Sequence, residues 1–93
     1  MAHVLESQIE KKVCAYAKRK GWLVYKFTSP GKRSVPDRIF IGDRKMFFIE
    51  FKAPGKKPTK LQLAEHAKIQ SQGFIVWIID DIDKGKTLID TLS

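Results

Sequence analysis

Pro36-Asp37-Arg38-Ile39-Phe40-Ile41 and Met46-Phe47-Phe48-Ile49-Glu50-Phe51-Lys52 are two runs rich in β-branched and aromatic residues, separated by Gly42-Asp43-Arg44-Lys45. That pattern predicts a β-hairpin. A two-residue loop at Asp43-Arg44 pairs Gly42 with Lys45; a four-residue loop over 42–45 pairs Ile41 with Met46. In either case the paired numbers sum to the same value, so Asp37 falls opposite Glu50. Directly opposed residues share a face, with Cβ atoms about 5 Å apart. Lys52 lies two residues beyond Glu50 and shares that face, while Phe47, Ile49 and Phe51 point to the other.

The hairpin thus sets two acids side by side with a lysine beside them. Opposed like charges destabilise a sheet, and a divalent cation would offset the repulsion. Mg²⁺ is commonly held by one or two carboxylates plus water and phosphate, and an ion so held activates water and neutralises charge on a phosphodiester. The ammonium would stabilise developing charge or orient the attacking water. Against this stands a plain surface pairing of Lys52 with the two acids, worth about 1 kcal/mol or less. The register of the acids, and the position of Glu50 in an otherwise apolar strand, favour the site.

Ninety-three residues with 43% hydrophobic content suit one domain, 1–93, with one modest core. Eighteen Lys and Arg against ten Asp and Glu give a net charge of +8 and a pI near 9.8, the footprint of a polyanion binder. Nucleic acid is favoured over membrane, since no long basic amphipathic helix with an aromatic face is present and no apolar run approaches a membrane span. Met1 to Val4 lacks the character of a signal peptide. The single Cys14 excludes an internal disulfide. A soluble protein of a reducing compartment is expected.

Apolar residues at 5, 9, 13, 16 and 17 predict a helix over 5–20, closed by Gly21 after Lys18-Arg19-Lys20. Glu6 in its first turn suits the helix dipole; Glu10 is a second acid near the same face. Residues 22–28 read as a strand, followed by a loop carrying Lys32 and Arg33. A second basic loop holds Lys56 and Lys57. These four cations would contact phosphates or be ordinary solvated charge. Thr59 as N-cap and Gln62 as N3 form a capping box. The helix they start reaches about Gln72, with Leu61, Ala64, Ala67 or Lys68, and Gln72 on its spacing, and His66 on a solvated or partly buried face. The run 74–79 reads as a buried central strand, and 86–92 as a short helix. Trp22 and Trp77 are expected in the core. A helix between strands three and four implies a mixed sheet flanked by helices. No zinc-ligand spacing, phosphate loop or nucleophile elbow is present.

The residues now support a family resemblance. Leu5 to Glu10, Val24 to Phe27, Ser29-Pro30-Gly31, Val35 to Ile39, Phe48 to Gly55 and Lys60-Leu61-Gln62 together resemble a stand-alone VRR-NUC domain of the PD-(D/E)xK nuclease superfamily, of phage or bacterial type. Ser34-Val35 departs from it where a glycine is common. The resemblance implies a restriction-endonuclease-like αβββαβ core, and Mg²⁺- or Mn²⁺-dependent cleavage in the bacterial or phage-infected cytoplasm. Asp37 and Glu50 match its metal-binding acids, the Phe51 carbonyl a further ligand, Lys52 the catalytic lysine, and Gln62 a helix glutamine whose site role competes with capping. Glu6 matches the first-helix acid, with Glu10 the alternative. Related stand-alone members look like Holliday-junction resolvases and form dimers, so the expected substrate is branched DNA and the expected assembly a homodimer. The apolar face of the first helix or the hairpin edge would form its interface. Competing readings are a non-catalytic basic DNA-binding module, which has no use for opposed carboxylates facing a polyanion, and a structural protein with surface ion pairs.

Overall fold

The computed structural model describes residues 4–32 and 34–93. Its elements are α1 (Glu6–Arg19), β1 (Leu23–Lys26), β2 (Arg38–Gly42), β3 (Lys45–Phe51), α2 (Lys60–Ser71), β4 (Val76–Ile79) and α3 (Ile82–Leu92). The strands form one mixed sheet in the order β1-β2-β3-β4, with β4 parallel to β3 and the other pairs antiparallel.

The hairpin forms as read. Gly42 pairs with Lys45 and Arg38 with Ile49, so the two-residue loop is realised. Asp43 and Arg44 both take positive φ, 46° and 63°, as a type I′ turn requires. Gly42 leaves room for a neighbour: a Cβ there would sit 2.8 Å from the Trp22 ring.

Alternation along the strands divides the sheet into two faces. Phe40, Phe47, Ile49, Phe51 and Ile79 pack with Ile9, Val13, Cys14 and Ala17 of α1 and Ile89 of α3 into one buried cluster. Phe40 and Phe47 stack 4.9 Å apart there, and Trp22 meets Phe47 edge-on at 5.1 Å. α1 and α3 approach so closely that a Cβ on Gly85 would lie 2.4 Å from Val13 Cγ2. Phe48 and Glu50 face the opposite way, toward the side where α2 carries the buried His66.

Several expectations are corrected. The run 74–79 is not a central strand: only 76–79 pairs, at the edge of the sheet, and β3 is central. The run is also less buried than expected: Val76 and Ile79 are buried, but Phe74, Ile75 and Ile78 are exposed, because an edge strand leaves part of an apolar run uncovered. On α2 the predicted stripe points outward. Leu61 is 74% exposed while His66 is 2% exposed, so the inward side carries Gln62 and His66. Polar side chains turn inward here because the sheet beneath offers them Glu50. Leu5 is the N-cap of α1 rather than a core residue. α3 starts four residues early, because Asp81 caps it by accepting from the Lys84 N–H at 2.9 Å. Trp22 is in the core as expected, and Trp77 packs partly buried against it. Neither predicted dimer surface is free: the apolar face of α1 is covered, and both hairpin strands are paired on each side. Among the described residues no helix is long and apolar enough to cross a membrane.

Candidate active site

The buried Pro36 delivers the chain to Asp37, just ahead of β2. The Asp37 carbonyl accepts from the Phe27 N–H at 3.0 Å, tying it to the end of β1. Its side chain crosses to β3, where Oδ2 accepts from the Phe51 N–H at 2.7 Å. The register therefore brings Asp37 to Glu50 and Phe51, and this bond fixes the carboxylate's direction.

Glu50 is 2% exposed. Its Oε2 accepts from Gln62 Nε2 at 3.1 Å and lies 3.7 Å from Lys52 Nζ. Its Oε1 lies 3.7 Å from His66 Nε2; both atoms are buried without a hydrogen-bond partner among the described residues. Burial pushes the Glu50 carboxyl up to about 7, the nearby Asp37 charge adds to the rise, and Lys52 opposes it. Burial also raises Asp37, against the pull of the Phe51 N–H, with Glu10 and Glu6 adding repulsion. His66 is lowered by burial and by the Lys52 charge. Burial and mutual repulsion thus disfavour the charged forms of the two acids, a cost that a bound cation would offset.

Gln62 needs no choice between its two expected roles. Its Oε1 accepts from the Thr59 N–H at 2.9 Å, its own N–H donates to Thr59 Oγ1 at 3.1 Å, and its Nε2 reaches Glu50. One amide caps the helix with its oxygen and holds the acid with its nitrogen.

The first-helix acids differ in what they touch. Glu10 Oε2 is bound by Arg38 Nε at 2.6 Å, yet it lines a hollow with Asp37, Lys26 and Lys32. Glu6 is exposed and its field reaches both Asp37 and Glu50.

The basic loops are placed unevenly. Lys32 Nζ bonds Glu65 Oε1 of α2 at 3.1 Å, an oxygen shared with Lys68, which holds this loop against α2. Lys56 and Lys57 are exposed in the loop after β3. Arg33 lies outside the described residues. His66 was missed from sequence as a site residue; its position four residues after Gln62, on the same helical face, was the available signal.

Among the described residues no three His, Cys, Asp or Glu side chains converge as a ready-made metal cage. The donors present are two carboxylates and the Phe51 backbone, hard oxygens of the kind that suit Mg²⁺ with water completing its shell. The orphaned Oε1 of Glu50 is consistent with such a ligand.

No family model matches the chain. It is 42% identical over 89 residues to the protein named "Putative nuclease p44" of Acyrthosiphon pisum secondary endosymbiont phage 1, covering 95% of this chain and 96% of that one. A solved structure named "VRR_NUC domain" superposes with a TM-score of 0.86 at 25% identity, over 97% of this chain and all of the other. A second, "VRR_NUC domain protein", superposes at 0.81 and 18% identity, over 96% and 88%. The phage relative, 42% identical over nearly the whole chain, and the close superposition on a "VRR_NUC domain" structure show that the chain belongs to the VRR-NUC family.

Proposed function

We propose that this protein is a Mg²⁺- or Mn²⁺-dependent endonuclease that hydrolyses DNA phosphodiesters, acting on branched substrates such as four-way junctions. The nuclease name of its phage relative supports the reaction class. The observation that carries the reading is the buried Glu50, held by Gln62 and flanked by Asp37 and Lys52. A surface ion pair would not bury a carboxylate to 2% exposure or raise its pKa.

Asp37, Glu50 and the Phe51 carbonyl would hold the cation, which supplies Lewis-acid polarisation of the phosphoryl oxygen and a more acidic water. Asp37 is aimed by the Phe51 N–H, and Glu50 is aimed by Gln62, with His66 closing off the solvent behind it. Lys52 Nζ, close enough to orient on Glu50 Oε2, donates to the non-bridging phosphate oxygen as charge develops, a contribution realised mainly in the transition state. Glu6 assists Asp37 from α1, since Glu10 is engaged by Arg38. Lys56 and Lys57, with Lys32 and Arg33, bind phosphates without reading bases. A two-fold homodimer would present two such sites to the two strands a junction must lose. Its interface would draw on the free side of β1, where Leu23 and Tyr25 are each 54% exposed.

The test is purified protein on linear duplex, flap and four-way-junction DNA, with Mg²⁺, Mn²⁺ or EDTA. Cleavage in Mg²⁺ or Mn²⁺ and none in EDTA is expected, fastest on the junction. Cutting that persists in EDTA removes the metal, and equal rates on all three DNAs remove the structural preference.

A further inference from the structure

We propose that the outward side of α1 and its seam with α3 form a second nucleic-acid track, which holds the phosphate backbone of a DNA arm leaving the catalytic hollow. This rests on the nuclease reading above and extends it to where the uncut part of the substrate lies. Three shallow hollows share walls in sequence. The first holds Asp37, Glu10, Lys26 and Lys32. The second shares Glu10 and adds Lys11, Lys18 and Arg38. The third shares Lys11 and Ala15, adds Lys12, Arg19 and Lys86, and encloses about 400 Å³.

Most of the charge along this path has no acid partner. Lys32 pairs with Glu65 and Arg38 with Glu10, but among the described residues Lys11, Lys12, Lys18, Arg19 and Lys86 form no ion pair within 4.0 Å. Two of these cations are also gathered on one aromatic ring. Arg19 stands 5.7 Å and Lys86 5.4 Å from the centre of the Tyr16 ring, with Lys20 at 5.4 Å, and the Tyr16 hydroxyl is anchored on Asp90 at 2.7 Å. A ring face attracts cations; Lys20 is paired there with Asp90 at 3.6 Å, and Arg19 and Lys86 are left for a polyanion to compensate.

Size and direction both suit a nucleic-acid arm. Gln8, Lys11, Lys12, Ala15 and Arg19 lie along one side of α1, linked by spacings of three and four (8 to 11 and 12, 11 and 12 to 15, 15 to 19). At 1.5 Å per residue they span about 16 Å, roughly five base-pair rises of 3.4 Å. α1 and α3 cover the sheet face opposite Glu50, so the track turns around the sheet. A straight duplex is too stiff to follow it over so short a length, with a persistence length of about 150 base pairs. The ligand that fits is an arm diverging from the one being cut.

The triple variant Lys12→Gln, Arg19→Gln and Lys86→Gln tests this beside a control triple of equal charge loss, Arg44→Gln, Lys45→Gln and Lys84→Gln. Binding is read by fluorescence anisotropy in Ca²⁺, on a four-way junction and on a duplex of about one helical turn, roughly 10 base pairs. The track variant should bind the junction at least about fivefold more weakly than the control triple, with a salt slope shallower by about 2–3, at roughly 0.9 per lost phosphate contact. Short-duplex affinity and the single-turnover cleavage rate at saturating protein should match the control. Equal junction affinities for the two triples, or an equal loss on the short duplex, overturns the track while the nuclease reading stands. Wild-type protein that neither binds nor cuts DNA overturns both.

Discussion

Replacing Glu50 with Gln separates the cost of a buried acid from its use. The carboxyl is raised from 4.5 to about 7, with burial the largest cause. A folded-state pKa above the unfolded one means that the folded protein binds the extra proton. The contribution of Glu50 to stability is complete below about pH 4.5 and is lost as pH rises to about 7. A tenfold change in proton affinity is worth about 1.4 kcal/mol, so ionising Glu50 in the folded state costs about 3 kcal/mol above pH 7 without cation. Gln keeps the shape and the acceptor for Gln62 Nε2. In EDTA at pH 8 the variant should therefore be more stable than wild type by about 2–3 kcal/mol, or roughly 10 °C or more in Tm for a domain of this size. At pH 5 most of that gain should disappear. Mg²⁺ should raise the wild-type Tm and leave that of the variant unchanged. Thermal unfolding followed by circular dichroism at both pH values, with Mg²⁺ or EDTA, gives all of these. A variant that is less stable at pH 8, or a difference independent of pH, would refute the argument that Glu50 is held at a cost for a ligand.

Asp37→Asn should lower Mg²⁺ affinity at least tenfold by calorimetry and keep the fold, since Asn can still accept from the Phe51 N–H. Gln62→Ala should cost about 1 kcal/mol in denaturant unfolding through the lost cap, and should also depress kcat, a loss that a capping role alone would not cause. Gly85→Ala should destabilise by about 1–3 kcal/mol, because its Cβ meets Val13; an unchanged unfolding midpoint would mean that α1 and α3 are packed less closely. DNA affinity in Ca²⁺ should fall by orders of magnitude between about 50 and 200 mM salt, and flat binding over that range would remove the electrostatic reading of the +8 charge.

The hairpin was legible because a tight turn and a period of two leave one register, and that register fixes which acids meet. The helical and strand segments around it were legible for the same reason: periodicity reports local geometry. α2 was not, because the usual rule sends apolar residues inward, and here Gln62 and His66 turn inward to meet Glu50 while Leu61 faces solvent. That partnership exists only across the fold. The edge position of β4 was hidden because an apolar run names no strand partners, and the same run overstated burial, since Phe74, Ile75 and Ile78 are exposed. The start of α3 was hidden because Asp80-Asp81 reads as the end of a strand as readily as a cap. Glu6 and Glu10 looked alike in sequence, since no spacing in the chain announces the reach of Arg38 to Glu10.

The most direct test of the hairpin as catalytic centre is single-turnover cleavage of a labelled junction by Lys52→Ala, with protein and Mg²⁺ both saturating. Lys52 Nζ lies 3.7 Å from Glu50 Oε2, so its removal takes one competitor away from the acids and leaves metal binding intact or tighter. If Lys52 acts on the transition state, the rate should fall by about 10²–10³-fold. A Lys52→Ala protein that cuts at close to the wild-type rate would contradict the account.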